Sequence, residues 1–487
     1  MKSKKKVLLC AMITTLSACN GGGDDAPSIE GKLTNKDKAI STSKTISPSV
    51  DGKLDEKDKK IIPSDLTKSL TSTLMPQLGL TKIRNLKISP NSQFLAVSND
   101  DEDTKNGRVN IYQQHQGQWK LINKLTPSAD SRSSLFGNSM AFSRDGKTLS
   151  IGSYYASEGG LSNIGKVYLY KFDGENFKVE QNIQPLSLVA NANFGRHVNL
   201  SADGQTLLVS APQQKSVRCT NEYSPCGTVY VYKYDPNQAQ WNMASEFDGP
   251  DNDTYFGYDM ALSGDGSTAI ISNLGSKLSW YSLKNKQHPE RVQTLDLPKM
   301  VSSVALNQNG LVTAFSDNKS TVYLYTKKEG TYKLETTIEK PISDELYYKD
   351  WQNYSSNGYD FGSDIALNSD GTVLVATSFN DDFNHFGATS LSDTLLTNVV
   401  STDNKQECPG KYGPSRIFTG ASFVYLRQNQ KWNLTQYLKP PKIEDNQFCT
   451  KGYNGPKRLD NDRIVVTVSD DNKIFQSTIG NRIVEYK

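Results

Sequence analysis

A short signature recurs along the chain: Phe-Gly, with Asp-Gly nine residues after the Phe. It stands at Phe136-Gly137/Asp145-Gly146, Phe194-Gly195/Asp203-Gly204, Phe256-Gly257/Asp265-Gly266 and Phe361-Gly362/Asp370-Gly371. Self-similarity at a spacing of tens of residues restricts a chain to architectures of like units packed side by side. Each Asp-Gly separates two alternating apolar segments, for example Met140-Ala141-Phe142-Ser143 before it and Leu149-Ser150-Ile151 after it. That is the pattern of a hairpin turn between two strands. Asn309-Gly310 gives a fifth turn, and Pro90-Asn91-Ser92 and Asp470-Asp471-Asn472 give looser sixth and seventh turns.

A third strand follows each pair, running from a small or polar residue through apolar ones to a Tyr. Its copies are 107–112, 165–170, 227–232, 276–281, 320–325, 420–425 and 481–486. A fourth strand begins with an aromatic residue, has an apolar one two later, and meets a Pro beyond. Trp119…Pro127, Phe177…Pro185, Trp241…Pro250, Tyr332…Pro341 and Trp432…Pro440 fit, and Val292…Pro298 is a degenerate copy. The chain ends just after the seventh third strand, while residues 68–76, with Leu70 six before Pro76, offer an unused fourth strand at the other end. The expectation is an all-β, seven-bladed β-propeller of four-stranded blades over 64–487, its last blade completed by an N-terminal strand. An open β-solenoid or two sandwiches is the competing architecture. With 24 Tyr, 35 Gly and 19 Pro, and no run of eighteen apolar residues, composition favours many short strands over helices.

The Phe-Gly, Asp-Gly and Gly-x-Val-Tyr-x-Tyr spacing resembles FG-GAP repeats, as in the propeller of integrin α subunits and many bacterial surface proteins. In that family some hairpins between the first two strands carry Ca²⁺ on a D-x-D-x-D-G loop. Here Ser143, Ser201, Ser263 and Asn368 stand two residues before the turn Asp. A hard cation wants several carboxylate oxygens, so no Ca²⁺ and no other cofactor or metal is expected at these turns.

The N-terminus carries a targeting signal in its residues. Lys2, Lys4, Lys5 and Lys6 precede a ten-residue apolar stretch from Val7 to Leu16, too short to span a bilayer. Leu16-Ser17-Ala18-Cys19 resembles the lipobox of bacterial lipoproteins, which implies cleavage after residue 18 and acylation of Cys19; an ordinary signal cleaved after Ala18 is the alternative. Removing 1–18 takes away four Lys and moves the net charge from +3 to −1, leaving no global attraction to nucleic acid. Residues 19–63 are polar and Gly-, Lys- and Ser-containing, and read as a flexible tether. Asn20 after the lipidated Cys points, by family analogy, to the outer membrane. The expected location is therefore the cell envelope, with the lipid as membrane partner.

Cys219, Cys226, Cys408 and Cys449 remain after Cys10 and Cys19 are set aside. An even number in an exported chain reads as two disulfides. Three pairings are open; Cys219–Cys226 with Cys408–Cys449 keeps one bridge within a loop. A zinc site lacks C-x-x-C spacing and a nearby His.

In an up-and-down blade the 1–2 and 3–4 turns share one face, and the 2–3 loops and 4–1 crossings share the other. The long segments 154–164, 212–226, 341–360, 379–419 and 441–462 all fall on the second face, with the four Cys. Tyr347, Tyr348, Trp351, Tyr354 and Tyr359, then Phe379, Phe383, His385 and Phe386, crowd two of these segments. They suit a protein or sugar partner, or else pack the loops onto the blade. No G-x-S-x-G, H-E-x-x-H or P-loop occurs, and Ser143–Thr148 departs from the sialidase Asp-box. His197, Asp259 and Asp364 fall on first strands, where channel lining and structural hydrogen bonding are the two readings; no catalytic residue is assigned. The function expected is a lipid-anchored, non-enzymatic envelope protein that binds a protein or glycan through its loop-rich face. An assembly scaffold and a carbohydrate-active enzyme stay open. Cys19→Ala is expected to abolish fatty-acid labelling and release the protein from membranes; unchanged label would refute acylation at Cys19.

Overall fold

The computed structural model describes residues 72–74, 83–99, 107–127, 134–215, 225–249, 254–285, 288–340, 361–378, 387–390, 421–439, 465–478 and 482–486. Their regular structure is entirely strand, and among them no helix is long and apolar enough to cross a membrane. β1 (Ser72–Leu74) comes first in the chain and is used last. Blade 1 is β2 (Ile83–Ile88), β3 (Phe94–Asn99), β4 (Arg108–His115) and β5 (Gln118–Leu125). Blade 2 is β6 (Ser139–Phe142), β7 (Thr148–Ser153), β8 (Lys166–Phe172) and β9 (Phe177–Ile183). Blade 3 is β10 (Val198–Leu200), β11 (Thr206–Ala211), β12 (Thr228–Asp235) and β13 (Gln240–Asp248). Blade 4 is β14 (Met260–Leu262), β15 (Thr268–Ser272), β16 (Lys277–Ser282) and β17 (Glu290–Asp296). Blade 5 is β18 (Val301–Leu306), β19 (Val312–Asp317), β20 (Thr321–Lys328) and β21 (Thr331–Glu339).

Blade 6 departs from the expected four strands. After β22 (Phe361–Leu367) and β23 (Val373–Ser378), the long 2–3 connection supplies β24 (Gly387–Ser390), then β25 (Ala421–Gln428) and β26 (Lys431–Lys439) follow. β24 lies outside β26, with Gly387 opposite Lys439 and Ser390 opposite Gln436. A connection this long can double back along the outer edge and satisfy its free N–H and C=O groups. Blade 7 is β27 (Val466–Val468), β28 (Ile474–Thr478) and β29 (Arg482–Tyr486), closed by β1: Ser72 pairs with Tyr486 and Leu74 with Val484. All sheets are antiparallel, and each first strand touches the next around the circle, β27 returning to β2. The molecule is a seven-bladed propeller.

The core is a set of wedges, one between each pair of neighbouring blades. Val109 and Ile111 of blade 1 meet Phe136, Met140 and Ile151 of blade 2; Val229 and Val231 of blade 3 meet Met260 and Ile271 of blade 4. The closing wedge joins Leu86, Val97 and Tyr112 to Phe475 and Ile483, with Trp119 edge-on to Phe475 at 5.7 Å. The Phe of each Phe-Gly is fully buried and meets a third-strand ring edge-on, as Phe136 does Tyr168 (5.2 Å) and Phe194 does Tyr230 (5.3 Å). Its Gly is required twice over. Gly195 has φ +84, and a Cβ there would stand 2.9 Å from Val167 Cγ2 of the preceding blade. The fourth-strand apolar residue pairs in register with the last Tyr of the third strand, Leu121 opposite Tyr112 and Val179 opposite Tyr170, and is itself exposed.

Deleting 64–80 is expected to lower the melting temperature by roughly 5 °C or more, since it removes β1 and uncovers β29. Deleting 21–58 is expected to leave it unchanged. Equal midpoints in thermal unfolding would show that β1 does not close the ring.

Candidate functional site

The two ends of the propeller axis are built differently. At the turn end every blade uses the same loop. In blade 2, Ser143 Oγ donates to Asp145 Oδ1 (2.6 Å) and accepts from Thr148 N (2.9 Å), while Asp145 Oδ1 accepts from Lys147 N (3.0 Å). Ser201, Ser263 and Ser469 repeat the arrangement, and Asn307 and Asn368 replace the hydroxyl with an amide oxygen. The residues two before the Asp are thus the turn's internal hydrogen-bond hubs. Backbone bonds then link turn to turn: Arg144 N to Ala202 O (2.8 Å), Ala202 N to Gly264 O (2.6 Å), Asp265 N to Gln308 O (3.2 Å), Gln308 N to Ser369 O (2.9 Å) and Asp470 N to Pro90 O (3.0 Å). Asn91 Nδ2 donates to Asp145 O (2.8 Å), and Ser369 Oγ bonds Asp470. The seven turns form one closed hydrogen-bonded ring.

Arg144 spans that ring. Its Nη1 donates to Gln308 Oε1 of blade 5 (2.5 Å), and its Nη2 lies 2.9 Å from Asp470 Oδ2 of blade 7. Blades 2 and 5 stand across the axis from one another, so this side chain bars the channel at the turn end. Gly264, where a Cβ would fall 2.4 Å from Gln308 Cγ, leaves room for the Gln308 side chain.

At the loop-rich end, the residue three after each Phe clasps the next blade. Ser139 Oγ accepts from Val198 N (2.9 Å), Asp259 Oδ2 from Val304 N (2.9 Å) and Asp364 Oδ2 from Val466 N (2.9 Å). His197 Nδ1 sits 3.1 Å from Asp259 Oδ1, which also accepts from Met260 N (2.8 Å). In blade 1 Asn85 Nδ2 donates to Asn138 O (2.7 Å). His197, Asp259 and Asp364 thus each commit at least one polar atom to holding blades together. Burial pushes the Asp259 carboxyl up to about 7, against the pull of the Met260 and Val304 amides.

Two cations lie near these carboxylates, and neither stood out in the repeat pattern. Lys87 lies on β2, two residues before the turn Ser89. The residues in register with it are Ala141, Asn199, Ala261, Ala305, Ala366 and Thr467. Lys87 keeps solvent contact while protein surrounds it, and desolvation draws its ammonium below the ordinary lysine range despite the nearby charges of Asp364 and Asp259. Arg196 stacks its guanidinium over Tyr258 (4.6 Å) and towards Tyr154 (5.7 Å). Aligning the blades on their turn serines would have exposed Lys87 as the one long side chain in its register.

Of the loop-face segments, 154–165 and 184–195 are described, and they carry the exposed apolar residues Tyr155, Leu161, Leu186 and Val189. Asn191 N to Ser162 O (2.8 Å) and Asn163 Nδ2 to Asn191 Oδ1 (3.0 Å) tie the two segments into one surface. Cys226 is buried at the foot of its loop, its carbonyl accepting from Phe256 N (2.8 Å). Cys19, Cys219, Cys408, Cys449 and the aromatic candidates Tyr347, Tyr348, Trp351, Tyr354, Phe383, His385 and Phe386 lie outside the described residues.

The raised carboxyl of Asp259 has a measurable consequence. Between the ordinary carboxylate range and about 7 the folded state holds a proton that the unfolded chain has released, so stability falls as pH rises through that window. Asp259→Asn keeps an oxygen for Val304 N and cannot ionise. Its melting temperature is expected to exceed the wild type at about pH 8 by roughly 1–2 °C per kcal/mol regained, with the gap shrinking towards about pH 5. A gap independent of pH would refute the assignment.

No family model matches the sequence, and no curated protein matches it. Among solved structures, the β-propeller domain of Myceliophteria thermophila Cps50 (Swd1) is similar, with a TM-score of 0.50 at 10% identity over 84% of this chain and 98% of that one. At that identity the likeness concerns the fold, and it agrees with the seven blades described above.

Proposed function

We propose that this protein is an envelope binding protein, held to the membrane by lipid on Cys19, that engages a protein or glycan partner through its loop-rich face. It is read here as an FG-GAP-type propeller with two disulfides among Cys219, Cys226, Cys408 and Cys449. The observation that carries the reading is the asymmetry of the two faces. The turn face is spent on itself: its turns are short, bonded in a ring and crossed by Arg144. On the opposite face the described connections 154–165 and 184–195 present Tyr155, Leu161, Leu186 and Val189 to solvent. Leu186 is fully exposed, with 105% relative accessibility, so its whole apolar area is available to be removed from water by a partner. Acid–base catalysis by Asp259 and Asp364 is not favoured, because each uses a carboxylate oxygen as an inter-blade clasp.

Two variants test the face without touching the ring. Leu161→Lys with Leu186→Lys places charge on the described surface, and replacing 391–419 by a Gly-Ser turn shortens the largest loop while sparing β24. Cross-linking on intact cells, followed by affinity capture, is expected to lose partner recovery about tenfold or more in at least one variant at unchanged circular dichroism. Undiminished recovery in both would refute the loop-face reading. Protease shaving of the same cells separates display at the surface from an inward-facing scaffold.

A further inference from the structure

We propose that the axial channel is itself a binding site, taking a small organic monocarboxylate that enters from the loop-rich end and seats on the Lys87 ammonium with the Arg196 guanidinium at its rim. The inference is independent of the macromolecular partner proposed above.

Four observations lead to it. Among the described residues the channel is barred at the turn end, by Arg144 reaching Gln308 and Asp470. In the register of Lys87 the other blades carry the small residues Ala141, Ala261, Ala305, Ala366 and Thr467, with Asn199, so Lys87 is the one long cation at this level of the ring. Lys87 makes no hydrogen bond or ion pair among the described residues; it feels Asp364 and Asp259 only through space. Arg196 Nε, likewise, is buried without a hydrogen-bond partner there. Lys87 keeps solvent contact, so water can take its donors when no ligand is bound, and a carboxylate supplies the acceptor oxygens that the ammonium and the Arg196 Nε do not receive from the described residues.

The two carboxylates of the channel end do not serve instead. Asp259 receives Met260 N and Val304 N and faces His197, and Asp364 receives Val466 N. They do set the charge of the ligand. A dianion would meet repulsion from both, whereas a single charge is balanced by Lys87 and Arg196. They also couple binding to protons. Asp259 is faced by His197, Arg196, Lys87 and Asp364, and an anion on Lys87 favours the protonated form of Asp259. Affinity therefore falls as pH rises, in the same direction that loss of the Lys87 proton would take it.

The test is calorimetric titration of the full-length protein with sodium acetate and sodium lactate, each against sodium chloride at matched ionic strength. Saturable binding is expected for the monocarboxylates, with weaker binding of malonate, a dianion. Lys87→Ala, which installs the residue that Ala141 and Ala261 already hold in register, is expected to lose about tenfold or more in affinity with unchanged circular dichroism. Lys87→Arg, which keeps the charge, is expected to restore most of it. Affinity in the wild type is expected to drop between about pH 6 and about pH 8, and less so in Asp259→Asn. Absence of binding in the wild type, equal affinity in Lys87→Ala, or tighter binding of malonate would each overturn the proposal.

Discussion

Everything in this molecule depends on closing a circle. A four-stranded sheet of short strands buries little by itself, because each blade's apolar faces are covered only by its neighbours. Seven blades in a row would leave two such faces bare, one on blade 1 and one on blade 7. The closing wedge removes both at once, by packing Leu86, Val97 and Tyr112 against Phe475 and Ile483. The chain adds a second lock by lending β1 to blade 7, where Ser72, Thr73 and Leu74 pair with Tyr486, Glu485 and Val484. Chain ends fray first in most folds; here the N-terminal strand and the C-terminal strand hold each other.

Once the ring is closed, its regular features become structural, and function is confined to departures from the repeat. The turn serines illustrate the first half. Each one donates to an Asp or Asn two residues on and accepts from an N–H further along the hairpin, Phe94, Thr148, Thr206, Thr268 or Lys473. Nothing in that network distinguishes one blade from another. Arg144 illustrates the second half. The positions matching it in other turns are Pro90, Ala202, Gly264, Gln308, Ser369 and Asp470, and only a long donor in one copy, with an acceptor across the axis and another nearby, can bar the channel.

The same division explains what could be read from sequence. Period-two alternation, the Asp-Gly turns and the third-strand Tyr are local and repeated, so strands such as β8, β12 and β25 could be placed without coordinates. The outer strands carry their own local pattern, and even the degenerate copy around Val292 is a strand, β17. β24 was not legible, because four residues pairing at an edge carry no periodicity of their own. His197, Asp259 and Asp364 were legible as first-strand residues, but their roles depend on which backbone N–H of the next blade they meet. That is a matter of register between distant units: Asp259 and Val304 are 45 residues apart, Asp364 and Val466 102. Lys87 is different again: it was visible in the sequence, and only alignment on the turn serines turns an ordinary lysine into an exception among alanines.

Confinement decides the electrostatics of the channel. On an open surface a lysine, an arginine and two aspartates within reach of one another would be screened by water and would couple weakly. Inside a ring of seven strands protein surrounds these charges, and desolvation dominates both shifted groups, raising Asp259 and lowering Lys87. Both shifts reduce charge, as they must where hydration is lost. The clasps prevent the simplest relief, which is for Asp259 to swing onto Lys87: its oxygens are already fixed by Met260 N and Val304 N. Holding the blades together and pairing the lysine are therefore competing uses of one carboxylate. The ring takes precedence, and that leaves the ammonium with its donors unspent.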